Sequence, residues 1–220
     1  MPARLRRPLL LVPLAAVWLA IGSAPVGAAT TYTRDLYFSG SWEQQVDNRT
    51  CTAASVAVME NLIARRDLNL NQMTILRYEQ PRDALLDSVQ RGSDPLGWAL
   101  AATEFSKRTP RPTTYRWEAY GSKGWALHRA AQQLALTGKP VGLLVQHGQH
   151  AVVMTGFSSS GDPKHGTFSV LSVSISDPNG WHHRNSSVAG SPLNTYLELD
   201  ATPTYDKAWY GKYVIVVPLS

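Results

Sequence analysis

The hydrophobic period of this 220-residue chain changes at Pro140, and that change sets the fold class. Before Pro140, apolar residues recur at intervals of three and four; after it they gather into short runs rich in Val, Ile, Leu and Phe. Thr52 to Arg65 reads as a helix, with Ala53, Val56, Met59, Leu62 and Ile63 at helical spacing and the basic Arg65-Arg66 pair at its end. Shorter helices are expected from Gln72 to Tyr78, from Arg82 to Gln90 and from Pro95 to Lys107. The last has Asp94 as N-cap and proline at its first helical position. Tyr115 to Tyr120 reads as a short strand, and Ser122 opens a helix to about Leu136 that Thr137-Gly138-Lys139-Pro140 closes. Beyond it, Val141 to Gln146, Ala151 to Phe157, Thr167 to Ser176 and Tyr213 to Val217 are strands bounded by Gly, Pro, Asp and Ser. Turns such as Ser158 to Pro163 are too short for helical crossovers, so the sheet is largely antiparallel and the class is α+β.

The N-terminal segment has a different character. Arg4, Arg6 and Arg7 precede an apolar run from Pro8 to Ile21, and Val26-Gly27-Ala28 fits a small-x-small cleavage pattern. Residues 1–28 therefore read as a secretory signal peptide and 29–220 as one domain, with a secreted or extracellular location expected. The run is too short and proline-interrupted for a good membrane span, which takes about 20 residues, so no stable span is expected after cleavage. Without these three arginines the net charge falls from +5 to +2. The remaining basic residues are scattered, which excludes nucleic acid as a favoured partner. The sequence carries no signal of oligomeric state.

The chain has one cysteine. Disulfide scaffolds and Cys-rich zinc sites are excluded. Cys51 falls at the first turn of the Thr52 helix, after the polar stretch Asp47-Asn48-Arg49-Thr50. At a helix N-terminus the unpaired N–H groups and the macrodipole favour a thiolate. A lone cysteine more often fills core space, but an exported chain tends to avoid an idle thiol, and the placement favours a nucleophile.

A thiolate nucleophile needs a base. His150 opens the strand Ala151 to Phe157, at the edge of a hairpin with Val141 to Val145. His147 lies three residues earlier, but no carboxylate or third ligand stands near, so neither metal nor cofactor is expected. His128 sits mid-helix, while His165, His182 and His183 fall in loops. Asp177, at the end of the strand Thr167 to Ser176, could orient the imidazole; its simpler reading is a turn residue before Pro178. Asp162-Pro163 reads only as a turn. Gln44 and Gln45, seven and six residues before Cys51, both offer an amide for an oxyanion.

Gln45-x5-Cys51-Thr-Ala-Ala-Ser-Val-Ala-Val-Met, Lys139-Pro140-Val141, Gly148-Gln149-His150-Ala-Val-Val-Met-Thr-Gly156-Phe157 and Ile175-Ser176-Asp177-Pro178 follow one another in order. This series resembles the papain-like cysteine peptidases, and within them the bacteriocin-processing-peptidase-like branch. The resemblance implies a papain-like fold with Cys51 as nucleophile, His150 as general base and then acid, Asp177 as its orienter and Gln45 as oxyanion-hole donor. It also implies a peptide or protein substrate cleaved through a thioester. The double-glycine specificity of exporter-fused members is not carried over. Two other readings use the same residues or fold. One is a catalytically idle domain that binds peptide or cell-surface material through Trp42, Trp98, Trp181 and Tyr210. The other is a transglutaminase or cell-wall amidase.

Overall fold

The computed structural model describes residues 31–84, 92–146, 148–180, 186–188, 209 and 211–219. The expected signal peptide, His147, Trp181, His182, His183 and Tyr210 lie outside them. The described elements, in chain order, are β1 (Tyr32–Asp35), α1 (Cys51–Ala64), α2 (Gln72–Glu79), a 3₁₀ turn (Gln80–Arg82), α3 (Pro95–Ser106), β2 (Tyr115–Tyr120), α4 (Lys123–Thr137), β3 (Val141–Val145), β4 (His150–Ser159), β5 (Val170–Ser176), β6 (Ser186–Val188) and β7 (Tyr213–Pro218).

The strands form one antiparallel sheet in the order β2-β7-β3-β4-β5-β6. β1 pairs with the second half of β4, from Gly156 to Ser159, continuing the side that β3 leaves after Met154. Every residue of β3 is buried, so both faces of the sheet are covered. α1 packs on β4 and α3 on β2 and β7, while α4 lies across β7, β2, β3, β4 and β5 on the opposite face. The architecture is α+β, as the change of period at Pro140 implies.

α1 is apolar on more than one stripe: every residue from Thr52 to Ile63 is buried, including Ser55, Glu60 and Asn61. A helix hidden all round belongs at the centre of a fold. Here α2, α3 and β4 surround it. Its small residues Ala53, Ala54, Ser55 and Ala57 allow that close approach. The helix stops at Ala64 because Arg65 turns into the left-handed region (φ 57°) and its N–H donates to Asn61 O.

Most of the helix expected from Arg82 to Gln90, residues 85–90, lies outside the described residues. Pro81 lies in the 3₁₀ turn, and Asp83 is extended (φ −60°, ψ 143°). The Asp83 carboxylate accepts from Asp94 N (3.0 Å) and Ser93 Oγ (2.7 Å), which holds Asp83 against the start of α3. At α3 the expected cap is present, with Asp94 Oδ1 accepting from Leu96 N and Gly97 N. α4 likewise opens on Ser122 and closes on Gly138 in the left-handed region (φ 65°).

Candidate active site

Four polar stretches converge where the N-terminus of α1 meets one end of β4 and β5. Cys51 is the first residue of α1 and half-buried. One turn further on, Ser55 Oγ donates to Ala151 O (3.3 Å), which seats this end of α1 beside the first residues of β4. His150 is the first residue of that strand because Val145 pairs with His150 across a tight turn, in which Gln146 (φ 51°) and Gly148 (φ 84°) take left-handed conformations.

Sheet register brings Asp177 to the same place. Val153 pairs with Ser176, so the antiparallel ladder, continued by one residue, sets Asp177 opposite Val152. Side chains alternate between faces, so Val152 and His150 share a face and Asp177 becomes a diagonal neighbour of His150. The side chains close that diagonal: His150 Nε2 lies 2.7 Å from Asp177 Oδ1, with both residues buried. An ionised carboxylate only accepts, so Nε2 carries the hydrogen and Nδ1 is left for the thiol. Cys51 also acts on the ring, raising its pKa. Burial works to lower the pKa of His150, but the interactions with Asp177 and Cys51 outweigh it and carry the imidazole up to about 9.

Asp177 is itself fixed. Its Oδ1 also accepts from Asn179 N (2.8 Å), and its carbonyl accepts the indole N–H of Trp42 (2.9 Å). The two glutamines separate clearly. Gln44 is exposed, and its carbonyl accepts from Gln72 Nε2 (2.7 Å). Gln45 is half-buried; its backbone N–H donates to Pro178 O (2.9 Å) and its Nε2 to Asp47 O (3.0 Å), leaving the second hydrogen of that amide nitrogen. Gln45 Oε1 is buried without a partner.

The loop between Gln44 and Cys51 is held from within. Thr50 Oγ1 accepts from Val46 N (3.1 Å) and Asp47 N (3.2 Å) and donates to Asp47 O (3.0 Å), while Gln72 Oε1 also accepts from Val46 N (3.0 Å). Sequence reading missed Gln72 and the bond made by Trp42. Gln72 gives no signal, since it lies on another helix 28 positions from its partner Gln44. Trp42 stands three residues before Gln45. Of the four aromatics named for a binding surface, Trp98 is wholly buried against Gly142, Trp42 donates its N–H to Asp177 O, and Trp181 and Tyr210 lie outside the described residues.

The decoys resolve by environment. His128 stacks on Phe168 at 4.0 Å between ring centroids, and His165 is exposed beside Asp162 in the β4–β5 connection. Asp162 forms a turn, accepting from Lys164 N (2.9 Å). Among the described residues no group of three His, Cys, Asp or Glu could hold a metal ion, and no helix is long and apolar enough to cross a membrane.

No protein-family model and no curated protein matches the chain. Among solved structures it is similar to a double glycine motif protease from an AMS/PCAT transporter, crystallised in complex with the leader peptide. The identity is 15% over 89% of this chain and 96% of that one, with a TM-score of 0.44. The secreted, extracellular location expected from residues 1–28 is not carried forward: those residues lie outside the described part of the chain, and the similar structure is that of a protease from a transporter. The architecture itself, N-terminal helices that include the Cys51 helix packed on a largely antiparallel sheet, is the α+β arrangement expected from the sequence.

Proposed function

We propose that the chain is a cysteine peptidase-like hydrolase acting on peptide or related amide bonds. One observation carries the reading: His150 Nε2 lies 2.7 Å from the buried Asp177 carboxylate, and the same ring is acted on by Cys51 at the start of a buried helix. Such a chain of thiol, imidazole and carboxylate is the arrangement that nucleophilic catalysis requires.

In the proposed reaction, His150 takes the Cys51 proton and the thiolate attacks the carbonyl carbon. The resulting oxyanion is held by the Cys51 N–H and by the remaining amide hydrogen of Gln45. As the tetrahedral intermediate collapses, His150 gives its proton to the departing amine and a thioester is left on Cys51. Water then attacks, with His150 taking its proton, and the acid is released as the thiol re-forms. Asp177 keeps the hydrogen on Nε2 throughout, so that Nδ1 faces the reacting atoms.

The test is alkylation of Cys51 by iodoacetamide at neutral pH. The expected result is a rate above that of glutathione, slowed by His150→Ala. A rate no faster than glutathione, and indifferent to His150→Ala, would overturn the reading. Incubation of the protein with peptide mixtures, with and without an added primary amine, then separates hydrolysis from transamidation by the mass of the product.

A further inference from the structure

We propose that Trp42 is a positioning residue that ties the loop carrying Gln45 to Asp177, so that the two sides of the site are set by one clamp. The inference rests on the reading of Cys51, His150 and Asp177 as the reacting set. Two parallel bonds make the clamp: Trp42 Nε1 donates to Asp177 O (2.9 Å), and Gln45 N donates to Pro178 O (2.9 Å). They join segments 135 and 133 positions apart in sequence. Neither bond is part of the sheet ladders or of the hairpin that presents His150.

Asp177 stands just past the last residue of β5. A residue beyond the end of a ladder has lost its neighbour's backbone bonds and must be located some other way. Among the described residues the Asp177 carbonyl also accepts a turn contact from Gly180 N at 3.4 Å, longer than a good N–H···O bond. The Trp42 indole therefore supplies the stronger anchor for the Asp177 backbone, while His150 Nε2 and Asn179 N take up Oδ1. The indole makes no contact with the reacting atoms through this bond; its effect reaches them through the carboxylate and then the imidazole. The same segment carries Gln45, so a displacement of Trp42 moves the oxyanion donor and the orienter of the base together.

Trp42→Phe removes the donor while keeping an aromatic ring. The clamp predicts that the His150 titration, followed by NMR of the imidazole Cε1–H, moves down by one pH unit or more. Cys51 alkylation at neutral pH is expected to slow about tenfold. In the unaltered protein the Trp42 indole N–H resonance is expected to shift with the same midpoint as His150, a measurement that does not depend on the variant folding. A purely structural Trp42 lowers the unfolding temperature and leaves both titrations where they were, which would overturn the proposal. An indole resonance that ignores the His150 transition would overturn it as well. If instead Cys51 proves unreactive in the unaltered protein, the peptidase reading fails, while the coupled titrations still report on the clamp.

Discussion

Asp177→Asn tests the central pair with the least change of shape. The ordinary histidine pKa of 6.5 and the value of about 9 for His150 set the scale. At about 1.36 kcal/mol for each pH unit between them, the folded state holds the charged ring by about 3 kcal/mol. The folded pKa lies above the unfolded one, so this stabilisation is complete below about pH 6.5 and is lost as pH rises through about 9. Asparagine keeps an oxygen for Nε2 but loses the charge, and a neighbouring opposite charge accounts for roughly one to three pH units. The His150 midpoint should therefore fall by that amount, to below about 8, because burial then acts against fewer opposing groups. Urea unfolding should show a loss of roughly 1.4 to 4 kcal/mol relative to the unaltered protein at pH 6, and a smaller gap at pH 10. Comparing the two proteins at each pH cancels titrations they share, such as that of Glu79. If the reaction is as proposed, turnover falls by about 10² to 10⁴, the scale of a misplaced general base. A His150 midpoint that stays at about 9 in Asp177→Asn would show that the carboxylate does not hold the ring, and the argument for its role would fail.

Two stability predictions use other buried groups. Glu79 is wholly buried and its pKa is pushed up to about 8 by burial, with Asp83 and Asp94 adding to the rise and the Thr52 hydroxyl working against it. Its folded pKa exceeds the unfolded 4.5, so the unfolded chain ionises first and stability declines as pH rises from 4.5 to about 8, by up to about 5 kcal/mol. Glu79→Gln should flatten that decline in urea unfolding; curves for the two proteins that run parallel from pH 4.5 to 8 refute the assignment. Gly142→Ala places a methyl group against Trp98 Cζ2 and Cη2 and 3.1 Å from Val216 Cβ, all in the core. Overpacking of this kind should cost about 1 to 3 kcal/mol, and an unchanged unfolding midpoint would mean that Trp98 does not lie against Gly142 as described.

The legible parts of the chain were those where a local signal and the tertiary structure agree. Asp94-Pro95 announces α3 because the cap and the fixed φ of proline act within one turn, and Tyr115–Tyr120 is a strand with the expected bounds. Cys51, His150 and Asp177 could be singled out because each stands at an element boundary: the start of a helix, the start of a strand and the residue after a strand. β1 was not legible. Its residues Thr33, Arg34 and Asp35 are exposed and carry no apolar alternation, and it is recruited by backbone pairing to β4. That approach needs Gly156, where a Cβ would lie 2.5 Å from Arg34 O, and a glycine inside a strand does not announce what lies beside it. Glu60 and Asn61 are polar, yet both are buried. Which faces of a helix are covered depends on how many neighbours surround it, and that is a property of the whole fold.

The start of α1 shows why local stability and the proposed chemistry diverge. A threonine at the N-cap ordinarily turns its hydroxyl to a first-turn N–H, an interaction worth about 1 kcal/mol. Thr50 does not: its Oγ1 is occupied by Val46 N, Asp47 N and Asp47 O, and no side chain caps α1. No acidic residue lies in the first turn either. The positive end of the helix is thus left without a side-chain anion or acceptor, while the hydroxyl that could have supplied one shapes the loop from Gln45 to Thr50 instead. An uncapped terminus favours negative charge placed against it. In the proposed reaction that charge is first the Cys51 thiolate and then the substrate oxyanion beside Gln45. The burial of α1 on every side supplies the stability that lets its N-terminus remain uncapped, which links the all-round packing of this helix to the reactivity proposed for its first residue.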